Sequence, residues 1–168
     1  MTAEGDGGLS VSSKTLRPTC SILSLMADPT LTPRLIVDGA DRAIDFYQRC
    51  LDAELLERFT GPDGKVVHAA LKIRDAILSV ADESPGSGNH APTSLGGSSI
   101  LLTLVVDHAD PIGARMVDAG AETIIAIDDR FYGKREGRFR DPFGHLRIIS
   151  QPLDPVPADE IQRRASGS

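Results

Sequence analysis

Hydrophobic and polar positions along the chain define two stretches that repeat one another. Leu31 to Val37 reads as a strand ending at Asp38-Gly39. From about Asp41 to Leu51 the spacing predicts a helix whose buried stripe is Ala43, Ile44, Tyr47 and Leu51. Glu54 to Phe59 predicts a strand, Gly61-Pro62-Asp63-Gly64 a turn, and Val66 to Ile73 a strand in which Val67, Ala69, Leu71 and Ile73 alternate with the rest. Arg74-Asp75 then turns into Ile77 to Ala81. The order is one strand, one helix, three strands.

Asp82 to Gly97 is dense in Gly, Pro and Ser, the composition of a linker and of a candidate flap over a site. Beyond it the order starts again. Ser99 to Val106 predicts a strand and Asp110 to Ala119 a helix, with Pro111 in its first turn and Gly120 as its stop. Glu122 to Ile127 predicts a strand, Asp128 to Glu136 a long loop, and Gly137 to Arg140 a strand paired with His145 to Ser150 through the turn Asp141-Pro142-Phe143-Gly144. A short amphipathic helix is expected over Ala158 to Arg164. The repeat is visible in the residues themselves: Ile36-Val37-Asp38-Gly39-Ala40-Asp41 is echoed by Val105-Val106-Asp107-His108-Ala109-Asp110, and Ala53-Glu54 by Ala121-Glu122. This predicts an α+β domain of two tandem βαβββ modules, residues 30–83 and 98–152 joined by a linker over 84–97. A flexible tail is expected over 1–29 and a C-terminal tail over 153–168.

Composition narrows the classes of function. With 168 residues, 40% of them hydrophobic and 25% charged, the chain has the make-up of an ordinary soluble domain with a real core. Its formal charge of −6 argues against a nucleic-acid partner. The longest apolar runs, Ser99 to Val106 and Ile77 to Ala81, are strand-length, so no membrane partner is expected. Met1 to Pro29 is rich in Ser, Gly and Thr, and its only apolar piece, Cys20 to Met26, lacks the basic start and the length of a secretory signal. Cys20 and Cys50 do not form a disulfide framework, and a reducing cytoplasm is the expected compartment.

Two βαβββ modules, Ala43-Ile44-Asp45-Phe46-Tyr47 in the first helix, and Asp141-Pro142-Phe143-Gly144-His145 near the end resemble the vicinal oxygen chelate superfamily, the glyoxalase, bleomycin-resistance and dioxygenase fold. Asp63-Gly64-Lys65-Val66-Val67-His68-Ala69, Ala81-Asp82-Glu83 and Phe131-Tyr132-Gly133 are similar to its PhnB-like branch. The resemblance implies a half-open mixed-sheet barrel, a small-molecule ligand and a homodimer. It also implies that a metalloenzyme of this fold would draw ligands from the first and last strand of each module. Those positions fall at Thr32, Ser79, Leu101 and Ile148, which supply no imidazole or carboxylate, so no metal and no other cofactor is expected. Arg147 stands where PhnB-like relatives carry Trp.

Strand parity with these four positions predicts a cavity lined by Arg34, Ser79, Thr103 and their neighbours, with His68 and Lys72 also on the concave side. Arg34 and Lys72 would suit an anionic or acceptor-rich ligand. His68 is either a hydrogen-bonded structural residue or a catalytic base, and Asp82-Glu83 either a solvated pair or an acid/base pair, with Glu83 the candidate. Phe131 and Tyr132 either stack on a flat ligand or anchor their loop. The parity of His145 favours structural packing. The expected function is metal-independent binding of an antibiotic or metabolite. The alternative is a glyoxalase-type lyase or isomerase, and a third reading is an interaction module with a vestigial cavity.

Overall fold

Proline has no amide hydrogen to give to a ladder, and the first strand accordingly starts just after Pro33. In the computed structural model, which describes residues 31–167, β1 spans Arg34–Val37, three residues shorter at its start than the apolar run. The expected tail over residues 1–29, with Cys20, lies outside the described residues. Gly39 takes φ +92° and turns the chain into α1 (Ala40–Leu51). Strands β2 (Glu54–Thr60), β3 (Val66–Ile73) and β4 (Ala76–Asp82) complete the first module. The linker forms a single 3₁₀ turn at Pro85–Ser87 and the short helix α2 (Pro92–Leu95). The second module runs β5 (Leu101–Val105), α3 (Ala109–Asp118), β6 (Glu122–Arg130), β7 (Lys134–Arg140) and β8 (Leu146–Pro152), and α4 (Ala158–Ala165) closes the chain.

Each module makes its own four-stranded mixed sheet, ordered β1-β4-β3-β2 and β5-β8-β7-β6. The first and last strands of each module pair in parallel, the others antiparallel. The fold is α+β and its sheets are not closed into a barrel. The repeat extends to the capping of the helices. Asp82 at the end of β4 accepts from the Ala40 amide at 2.8 Å, and Gln151 near the end of β8 accepts from the Ala109 amide at 3.0 Å, each across 42 residues. A helix start leaves amide hydrogens without intrahelical partners, and here the closing strand of the same module supplies the acceptor. Asp82 Oδ1 also accepts from the Gly39 amide, and its Oδ2 accepts from the Val66 amide at 2.7 Å.

Two local readings of the sequence are corrected. The polar run Asp128 to Glu136 is not a long loop: β6 continues to Arg130 and β7 starts at Lys134, leaving a tight turn with Gly133 at φ +80°. The polar residues are the cross-strand partners of an exposed ladder end, where Asp129 faces Arg135 and their side chains pair at 2.9 Å. Val67 is the second correction. It is 50% exposed while Val66 is buried, because β3 advances two residues there as β2 advances one. This bulge puts Val66, not Val67, into the core with Ala69, Leu71 and Ile73.

The helix-facing sides of both sheets share one core. Phe46 and Tyr47 of α1 pack edge-on against Phe143 from the second module's turn, with ring centroids 6.1 and 6.3 Å apart. Beneath that aromatic group lies a buried polar hub. Asp141 Oδ2 accepts from the Tyr47 hydroxyl at 2.8 Å and from Arg147 Nε at 3.2 Å, while Oδ1 accepts from the amides of Phe143 and His145. The Arg147 guanidinium lies 4.4 Å over the Tyr47 ring, a cation–π contact.

His145 is also buried, and its Nε2 donates to the Ile36 carbonyl at 3.1 Å, tying the second module's turn to β1. Burial pushes its pKa below the ordinary histidine value, against the opposing pull of Asp141. The unfolded chain therefore binds a proton more readily than the folded one. Stability from this group is fully present above the unfolded pKa of about 6.5 and is lost as pH falls from there through the lower folded pKa. The unfolding midpoint is expected to fall between pH 7 and pH 5, and His145→Gln, which keeps a donor but does not titrate, should flatten that slope. An unchanged slope in urea titrations at several pH values would refute the assignment.

Candidate functional site

The faces of the two sheets turned away from the core carry the candidate chemistry. On β1, Leu35 and Val37 are buried against the core while Arg34 and Ile36 point to the other side. On β5, Leu101, Thr103 and Val105 are the exposed set. Register then aligns the side chains in rows. In the first sheet Arg34 pairs with Ser79, Ser79 with Ala70, and Ala70 with Glu57. In the second sheet Thr103 pairs with Ile148, Ile148 with Arg138, and Arg138 with Ile125.

On the first sheet, His68 Nε2 lies 3.2 Å from Glu57 Oε1, and the His68 ring stacks on Phe59 with centroids 6.0 Å apart. A carboxylate beside an imidazole fixes the orientation of the ring, the elementary geometry of an acid/base group. Glu57 and Phe59 escaped the reading of the sequence because β2 shows no clean alternation; irregularities between Leu55 and Glu57 and between Phe59 and Thr60 break it. Arg34 donates to the Val67 carbonyl at 2.7 Å, and Ser79 is buried with its Oγ donating to the Pro33 carbonyl at 3.3 Å. Lys72 is exposed at the far end of β3, paired in register with Ile77.

Asp82 and Glu83 are occupied differently from an acid/base pair. Asp82 holds the three backbone amides described above. Glu83 Oε2 accepts from the Ser94 hydroxyl at 2.7 Å and the Ala91 amide at 3.1 Å, anchoring the linker. The Ser94 bond first, and the Ala91 bond after it, hold the Glu83 carboxyl below its ordinary pKa. Such a group stays ionised and is a weak proton donor or acceptor at neutral pH. A cavity of about 360 Å³ lies beside these carboxylates, lined by Arg34, Lys65, Val67, Ala81 and the 3₁₀ turn.

The second sheet holds a polar cluster. Tyr132 donates to Glu136 Oε1 at 2.6 Å and Ser150 Oγ donates to Glu136 Oε2 at 2.9 Å. Burial, then the hydrogen bond and charge of Glu136, raises the Tyr132 pKa, so the phenol remains a donor. Arg130 donates to the carbonyls of Ala126 and Glu136. Arg130, Tyr132 and Glu136, with Arg138, Ile125 and Ile148, line a cavity of about 190 Å³. Phe131 does not share it. Although the two rings meet edge-on at 5.1 Å, Phe131 lines a separate shallow cleft with Leu153, Val156 and Arg164. Glu136 was hidden in the sequence by the supposed loop, and Arg138, on the predicted strand Gly137 to Arg140, was not assigned to the site; their alternation with Gly137 and Phe139 was the available signal.

The four positions where a chelating relative would hold an ion do not suit one. Leu101 and Ile148 have no donor atoms, Ser79 spends its hydroxyl on Pro33, and Thr32 lies just before β1. Among the described residues no group of three or more His, Cys, Asp or Glu is arranged to hold a metal. Likewise, no helix among them is long and apolar enough to cross a membrane.

The family model described as Glyoxalase/Bleomycin resistance protein/Dioxygenase superfamily matches residues 27–147. An uncharacterized protein of Mycobacterium bovis is 41% identical over 147 residues, covering 86% of this chain and 97% of that one. An uncharacterized protein of Mycobacterium tuberculosis is also 41% identical, covering 86% of each chain. Among solved structures, TioX from Micromonospora sp. ML1 is 26% identical with a TM-score of 0.58, covering 75% of this chain and 100% of that one. The fosfomycin resistance protein FosX of Listeria monocytogenes, in a complex with Mn(II) and sulfate ion, is 13% identical with a TM-score of 0.59, covering 83% and 98%. At that identity the likeness extends to the fold alone.

Proposed function

The chain belongs to the glyoxalase/bleomycin resistance protein/dioxygenase superfamily, and from that premise we propose that it is a metal-independent binder of an antibiotic or metabolite, of the bleomycin-resistance type. The observation that carries this reading is the donor chemistry of Thr32, Ser79, Leu101 and Ile148. These lie where a chelate would form and offer at most two neutral hydroxyls. In their place the open faces present guanidinium, hydroxyl and aromatic groups among apolar walls, the mixed lining of a small-molecule pocket. The Asp63-Gly64, Ala81-Asp82-Glu83 and Phe131-Tyr132-Gly133 segments support assignment to the PhnB-like branch. The cysteine usage supports a cytoplasmic setting.

A homodimer completes the site in this reading. The cavities at the first and second sheets are each lined by one module, and Phe59, Leu101, Val105 and Ile125 are exposed apolar residues on or beside the open faces. A second copy laid against such faces would roof the cavities and cover those side chains. Sedimentation velocity is expected to give a dimer. Thermal-shift assays against a panel of aromatic and peptide antibiotics should raise the midpoint for at least one compound in protein free of bound metal. Stoichiometric Zn, Ni, Mn or Fe that supported turnover would sink the proposal.

A second reading, catalysis, is favoured by the His68–Glu57 pair, which resembles an oriented base. A His68→Ala protein that lost turnover of a bound compound but kept its affinity would move the assignment to a metal-free lyase or isomerase.

A further inference from the structure

Arg138 is the described arginine whose guanidinium finds neither a carboxylate nor a backbone carbonyl. Every other described arginine donates to a carboxylate or a backbone carbonyl. The Arg138 Nε is buried and has no hydrogen-bond partner. Nor does its guanidinium take part in any ion pair among the described residues. The nearest candidate in sequence on the same face, Glu136, has both oxygens held elsewhere, by Tyr132 and by Ser150. A buried donor without an acceptor costs free energy, more so on a charged group, and an anion supplied from outside would recover that cost.

The surroundings define the class of anion. Arg138 sits mid-sheet between Ile148 and Ile125, and both isoleucines line the same cavity of about 190 Å³. Tyr132 and Glu136 form part of the wall, the carboxylate accepting from Tyr132 and Ser150, and Arg130 adds positive potential while its Nη2 donates to backbone carbonyls. An enclosed apolar cavity of about 150 Å³ holds a benzene molecule. The volume here therefore suits one ring bearing a small anionic group, and a planar guanidinium matches a carboxylate through two parallel hydrogen bonds. We propose that the cavity on the second sheet is a carboxylate site for a single-ring aromatic acid, anchored by Arg138. This rests on the small-molecule-binding reading of the same cavity and names the chemistry of its ligand.

Benzoate and its neutral isostere benzamide discriminate the idea by isothermal titration with the full-length protein. Benzoate is expected to bind at least tenfold more tightly than benzamide, and Arg138→Met to weaken benzoate at least tenfold with little change for benzamide. Arg138→Lys, which keeps the charge but not the fork, should fall between, and unchanged melting midpoints would show that the variants are folded. Equal affinity for the two probes, or a benzoate affinity indifferent to Arg138→Met, would overturn the anchor while leaving a binder. Failure of both probes, with a response in the antibiotic panel, would overturn the carboxylate site alone. Failure of the probes and the panel together would overturn both readings.

Discussion

Asp141→Ala is expected to lower the unfolding free energy by about 3–5 kcal/mol, the cost of breaking a buried ion pair by removing one partner. The Asp141 side chain is fully buried and the Arg147 side chain 4% exposed, so the arginine left behind would be a buried cation with only an aromatic face beside it. The Tyr47 hydroxyl and the amides of Phe143 and His145 would lose their acceptor in the same step. Because Tyr47 comes from the first module and the other partners from the second, the loss would loosen the joint between them. Urea denaturation would read it as a large fall in midpoint. Asp141→Ala combined with Arg147→Met should recover part of the loss, since an apolar side chain does not suffer the desolvation that an unpaired guanidinium does. A single mutant with wild-type stability would remove the hub from the account of the fold.

Asp82→Ala is expected to cost about 2–3 kcal/mol, because one carboxylate there serves three backbone amides and replaces the cap that α1 lacks in its own sequence. The helix has no side-chain cap at Gly39, and its first amides reach Asp82 at 3.1 and 2.8 Å. Hydrogen exchange should quicken at Gly39, Ala40 and Val66 in the variant, ahead of the rest of the first module. The matching change in the second module, Gln151→Ala, removes a single neutral acceptor from Ala109 and should cost only about 0.5–1.5 kcal/mol. Equal effects from the two substitutions would show that charge at the helix start is not what Asp82 contributes. This pair of experiments also bears on Asp82 as a proton carrier, since a carboxylate holding three amides has little freedom to act as one.

Periodicity made much of this architecture readable. The stripe Ala43, Ile44, Tyr47 and Leu51 is buried as its spacing implies, and the turn at Asp141 to Gly144 forms where its residue types place it. Parity along β1 and β5 assigned Arg34 and Thr103 to the open faces, because a strand exposes every second side chain. Parity failed where strands depart from the regular pleat. The bulge at Val67 reverses inward and outward, and the polar end of the β6–β7 hairpin imitates a loop, since an exposed ladder needs no apolar residue. The candidate site was legible residue by residue on regular strands such as β1 and β8. It was illegible on β2 and β7, where Glu57, Phe59, Glu136 and Arg138 lie.

The sequence by itself determined the duplication, the order of strands and helices, and the absence of chelating side chains at Thr32, Ser79, Leu101 and Ile148. These follow from local spacing and from the chemistry of single residue types. Only the tertiary structure decided which charges are spent. Asp82 and Glu83, adjacent in the chain, are committed to a helix start and a linker. Arg147 is drawn into the core by Asp141 and Tyr47. Arg138 Nε is left without an acceptor, while the nearby Glu136 accepts from Tyr132 and Ser150. Compensation of charge is a property of distances between residues remote in sequence, and no periodicity along the chain encodes it.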